Sequence, residues 1–170
     1  MAASAVYERL LEILEDAPDT KAVTVSIGGG GLITGVGSAI KALRPDIKVW
    51  GVEPETAAPG ALSFTKGSPQ VLKNFKQSFV DGAGGQSMFP RMWERMKPVV
   101  NGYIVVTLEE TKKAMRLMAE KARIISEGAG ALPAAAALTG KAGKGPIVAV
   151  VSGGNIDLKK FCELIGASAS

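Results

Sequence analysis

At 170 residues, 46% hydrophobic and 21% charged, the chain has the composition of a single folded domain with a full core, and disorder is excluded. The 20 Lys and Arg outnumber the 16 Asp and Glu by four and form no basic run, and aromatics are only 5% of the chain, which argues against nucleic acid as a partner. There is no histidine and one cysteine, Cys162, so histidine-dependent nucleophilic or acid–base catalysis, His or thiolate metal clusters and an internal disulfide are excluded within this sequence.

The first residues carry neither a basic n-region nor a long apolar stretch, and no segment reaches the roughly 20 apolar residues of a membrane span. With the single cysteine, this predicts a cytoplasmic location without membrane contact. Apolar positions 6, 10, 13 and 14 predict a helix from Val6 to Leu14, stopped by Asp16-Ala17-Pro18-Asp19. Ala22 to Ile27 reads as a buried parallel strand, and it runs into Gly28-Gly29-Gly30-Gly31. Leu32, Ile33, Val36, Ile40 and Leu43 then share a helical face, which Arg44-Pro45 ends, and Ile47 to Glu53 completes a strand-helix-strand unit. Four glycines at a strand-to-helix turn let backbone N–H groups converge on a close ligand. Beside the positive end of a helix, that ligand is most often a phosphate. The other reading is a tight connection that holds nothing.

Short helices are expected over residues 58 to 65 and 88 to 97, then a strand from Tyr103 to Val106. Thr107 and Glu110 have the spacing of a capping box, and the helix after them is predicted to reach Arg123 with Met115, Leu117, Met118 and Ala122 inward. A small-residue helix is expected from Leu132 to Leu138. A strand from Pro146 to Val151 follows, then a second glycine-rich end, Ser152-Gly153-Gly154-Asn155, and a last helix from Ile156 to Leu164. Alternating strands and helices indicate an α/β fold, a mostly parallel sheet flanked by helices, over residues 1 to 170 as one domain. Both glycine-rich turns fall at carboxyl ends of strands, where open α/β sheets bind ligands, and so can face one crevice.

Three motifs in order, Gly28-Gly29-Gly30-Gly31-Leu32, Glu127-Gly128-Ala129-Gly130-Ala131 and Ser152-Gly153-Gly154-Asn155, resemble the threonine dehydratase and serine racemase group of fold type II pyridoxal-phosphate (PLP) enzymes. The strand Gly51-Val52-Glu53-Pro54 adds to the likeness, which covers the large-domain, C-terminal half of that tryptophan-synthase-β-like fold and leaves it incomplete. The resemblance implies that the amides of Gly28, Gly29, Gly30, Gly31 and Leu32 hold the PLP phosphate. It implies also that Ser152 meets the pyridine nitrogen beside Gly153, and that Glu127 stands near the ring. The activity it implies is β-elimination from L-serine or L-threonine to a 2-oxo acid and ammonia, with racemisation of serine as the alternative within the family.

The family's Schiff-base lysine lies in a motif well before the tetraglycine, and only 27 residues precede Gly28 here. No catalytic residue is therefore expected in this chain, and Lys21, Lys41, Lys48 and Lys112 read as solvated charges. Some relatives bind a divalent cation through a Glu, a carbonyl four residues on and an acidic residue two beyond. Here Glu53 and Ala57 are present, but Pro59 takes the third place. The implied partner is a complementary N-terminal-half chain or a second copy of this chain, and the substrate a small amino acid. A non-catalytic module for PLP or another phosphoryl ligand, or a truncated product, is the alternative.

Overall fold

The computed structural model describes residues 14–166, so the helix expected from Val6 lies outside the described residues except at its end, where residues 14–16 are helical. β1 (Ala22–Ser26) is buried along its whole length because it has partners on both sides. It pairs in parallel with β2 (Lys48–Pro54) and, on its other edge, with β4 (Ile147–Ala149). β3 (Gly102–Val106) extends the far side of β2, giving an all-parallel sheet of order β3-β2-β1-β4.

Alternation along β1 divides the core between the two faces of the sheet. Val23, Val25 and Ile27 pack with Ile33, Val36 and Ile40 of α1 (Gly31–Leu43), the crossover helix between β1 and β2. Beyond α2 (Pro59–Lys66), α3 (Pro90–Met96) brings Trp93 and Met96 to the same cluster. On the opposite face, Val52, Ile104 and Val106 meet Ala114 of α4 (Leu108–Leu117) and Leu132 of α5 (Gly128–Leu138). There Thr24 Oγ1 donates to the Pro133 carbonyl at 3.0 Å.

The capping box forms as expected. Thr107 Oγ1 accepts from Glu110 N–H at 3.0 Å, and the Glu110 carboxylate accepts from Thr107 N–H at 2.7 Å. That backbone bond, with Lys141 Nζ 3.0 Å away, holds the Glu110 carboxyl below the usual carboxylate range. The predicted run to Arg123 is not one α-helix: residues Met118–Ala122 form a π-helical turn, and Arg123 closes it at φ 59° with its guanidinium donating to the Glu120 carbonyl. The α-helical part buries Thr111 and Ala114 with Met115, and the wider turn after it leaves Ala122 exposed.

α5 begins at Gly128 rather than Leu132, so the second motif is a helix N-terminus. Its small residues admit close neighbours, with Gly128 against Phe79 and Val80 and Gly130 against the Gly153 carbonyl. β4 is shorter than the predicted 146–151, and all three of its residues are only half-buried. Lys21 N–H donates to Pro146 O at 2.9 Å and Val150 N–H to Thr24 O at 3.0 Å, so the backbone groups of Ile147 and Ala149 point away from β1, to an edge of the sheet with no partner strand among the described residues. α6 (Leu158–Ile165) starts at Asp157, whose side chain accepts from Lys160 N–H at 3.0 Å, two residues later than predicted.

Candidate functional site

Where β1 and β4 end, a cavity of about 180 Å³ opens between the sheet's two faces, lined by Ser26, Gly28, Gly29, Gly30, Gly31, Leu32, Gly82, Glu127, Ala129 and Ser152. Gly30 turns the chain from β1 into α1 at φ 86°, a left-handed conformation. A Cβ there would also press within 2.8 Å of Met96 Sδ. α1 has no side-chain cap and no acidic residue in its first turn, and its first closed turn is Thr34 N–H to Gly30 O. The N–H groups ahead of Thr34 are therefore left to a ligand. At Gly29 and Gly31 a Cβ would meet no protein atom, because it would occupy the cavity itself.

The second wall is the N-terminus of α5. Glu127 occupies its N-cap in extended conformation without capping the helix by its side chain, so the carboxylate is free to line the cavity. Gly153 does not line it. It sits behind Glu127, accepting Glu127 N–H at 3.2 Å, and a Cβ at Gly153 would strike the Glu127 carboxylate, so this glycine sets where that carboxylate stands. Ser152, exposed at the end of β4, faces the glycine row.

Ser26, Gly82 and Ala129 also line the cavity, although the sequence motifs assign none of them a role in the site. Gly82 arrives from the Asp81-Gly82-Ala83-Gly84-Gly85 turn, pinned to β1 by the bond from Gly84 N–H to Ile27 O. The turn formers at 81 to 85 marked a loop; nothing in them told where it would dock. No lysine lines the cavity: Lys41 donates to Asn101 Oδ1, Lys112 pairs with Glu109, and Lys21 and Lys48 are exposed.

Glu53 is fully buried, and its two carboxylate oxygens accept Gly60 N–H at 2.9 Å and Ala61 N–H at 2.8 Å at the start of α2. Burial raises its pKa to about 7 against the pull of those amides. Tyr103, shifted above the usual phenol range by burial and then by the Glu53 charge, packs on the same helix start at Gly60. Ala57 is buried nearby, with its carbonyl against Gly84. These residues do not fit a divalent cation: the Glu53 oxygens serve the helix, and no group of three or more His, Cys, Asp or Glu that could hold a metal occurs among the described residues.

Residues 3–153 match the family model described as pyridoxal-phosphate dependent enzyme. The chain belongs to that family. In sequence, this PLP-family chain is 39% identical over 162 residues to the catabolic L-threonine dehydratase of Staphylococcus aureus (strain N315), covering 91% of this chain and 46% of that protein. In structure it is similar to the T.th. threonine deaminase (TM-score 0.82, 33% identity, 92% of this chain and 57% of that one). It is similar also to maize serine racemase (TM-score 0.82, 31% identity, 95% and 52%). The four-stranded parallel sheet with its helices is thus part of the fold type II PLP architecture, and the chain spans about half the length of the curated relatives it matches.

Proposed function

We propose that this chain is the cofactor-holding half of a PLP-dependent L-threonine or L-serine ammonia-lyase. The observation that carries the reading is the single cavity in which the uncapped start of α1, the Glu127 carboxylate and the Ser152 hydroxyl face one another. The cradle left by Gly29 and Gly31 suits a phosphate, and the N–H groups of residues 28 to 32 would hold it. When bound, PLP supplies an electron sink for breaking bonds at the amino acid's Cα and Cβ. Ser152 would offer a neutral hydroxyl to the pyridine nitrogen and so would orient the ring without supplying the negative charge that would keep that nitrogen protonated. That favours elimination, in which electrons leave at once with the β-hydroxyl, over a long-lived carbanion. Glu127, held by Gly153, places a carboxylate beside the ring, where it can accept or return a proton.

The lysine that binds the cofactor covalently comes, in this reading, from a complementary half, and the open edge of β4 suits a partner that extends the sheet. The single chain is then inactive in lyase assays with added PLP, and it is associated with that half or with another copy, in the cytoplasm. The test is an absorbance titration with PLP, followed by assay for 2-oxo acid alone and after mixing with the half of the S. aureus threonine dehydratase that this chain does not span. Binding with activity only after mixing supports the proposal. Steady turnover by the single chain, or no binding of PLP, overturns it.

A further inference from the structure

Ser26 has no assigned role, yet it occupies the floor of the cavity. Thr24 turns its hydroxyl to α5, so Ser26, two residues on, faces the same side of the sheet, away from the apolar cluster of Val23, Val25 and Ile27. The residue is 8% exposed, and among the described residues its hydroxyl makes no hydrogen bond. Ser26 nevertheless lines the cavity and its oxygen is not fully enclosed, unlike the Ser126 hydroxyl, which is sealed inside the protein without a partner. A hydroxyl so nearly buried is unfavourable unless an acceptor meets it.

Two features say which acceptor. Ser26 lies two residues before Gly28 on one strand, about 7 Å by strand rise, so its side chain stands under the glycine row. The cavity that Ser26 lines also holds the Glu127 carboxylate, the Ser152 hydroxyl and the uncapped N–H donors at the start of α1, and those donors converge on an anion. We infer that Ser26 donates its hydroxyl proton to a phosphate oxygen of the bound ligand, holding from the β1 side the group that the α1 amides hold from the other. This rests on the proposed phosphate site and adds a side-chain donor to a set otherwise made of backbone.

The test is calorimetric titration of the full chain with three probes: inorganic phosphate, pyridoxine 5′-phosphate and pyridoxine, which lacks the phosphate. Ser26→Ala should weaken both phosphorylated probes about tenfold or more, as loss of a hydrogen bond to a charged group does, and leave pyridoxine unchanged. Ser26→Thr, which keeps the hydroxyl, should restore most of the loss. Equal weakening of pyridoxine, or unaltered phosphate affinity in Ser26→Ala, overturns the inference. Gly29→Val separates the two levels: if it abolishes phosphate binding while Ser26→Ala does nothing, the phosphate site stands and Ser26 is not part of it. If the unsubstituted chain binds neither phosphorylated probe, the site and the inference fall together.

Discussion

The two glycine-rich turns that meet at the cavity are built on strands of opposite character. β1 is paired on both edges and buried at every residue, whereas β4 is three residues long, half-buried and, among the described residues, paired on one edge only. The glycine row therefore follows a strand that is paired on both edges within this chain. Ser152 follows a sheet edge whose outer backbone groups have no partner strand among the described residues. In a chain that spans about half the length of its relatives, the Ser152 wall, and not the glycine row, is the one that follows a strand without a second partner among the described residues.

The largest effect expected is at the glycine row. Gly30→Val forces a β-branched residue into a left-handed backbone at φ 86° and against Met96, and should lower stability by about 3 kcal/mol while abolishing phosphate binding. Thermal unfolding and calorimetry check both. A second effect comes from Glu53, far from the open edge. Its pKa is raised from 4.5 to about 7, so the folded state binds the proton more tightly than the unfolded chain. Its contribution to stability is then full below pH 4.5, falls by about 3 kcal/mol as pH rises to about 7 and is flat above. Urea midpoints across that range should lose this slope in Glu53→Gln.

Hydrogen exchange sharpens the contrast between the strands directly. In the chain alone, the outward amides of Ile147 and Ala149 should exchange at least about 100-fold faster than those of Val23 and Val25, and slow down once a complementary half is added. Equal protection in the chain alone would remove the distinction between the two strands. The smallest effect is a calibration: Thr107→Ala removes a cap remote from both turns and should lower stability by about 1 kcal/mol without changing phosphate affinity.

What could be read from the sequence was local chemistry. The four glycines, the Thr107–Glu110 box and the small-residue motif each carry their meaning within a few residues, and Gly28 to Leu32, Glu127 and Ser152 do line one cavity. Ser26 escaped notice because a serine ending an apolar strand shows its role only when the opposite face of the sheet is known. Gly153 was taken for a lining residue, since the sequence cannot show that its neighbour's carboxylate stands in front of it. Glu53 was read as half of an incomplete cation site, whereas its partners are amides of a helix seven and eight residues on. The π turn at Met118 depends on packing that no periodicity encodes.

The strand order has a consequence for synthesis. β1 lies beside β4, whose Val148 is 124 residues later than Thr24, while β2 and β3 are made in between. As the chain leaves the ribosome, the edge of β1 that Thr24 offers to β4 therefore waits unpaired until Ile147–Ala149 emerge. Such distant pairings form slowly and leave a strand edge open to association in the meantime. Ser152 can meet the glycine turn only after β4 has been made, so a ligand able to bridge the two would act first on an unfinished sheet.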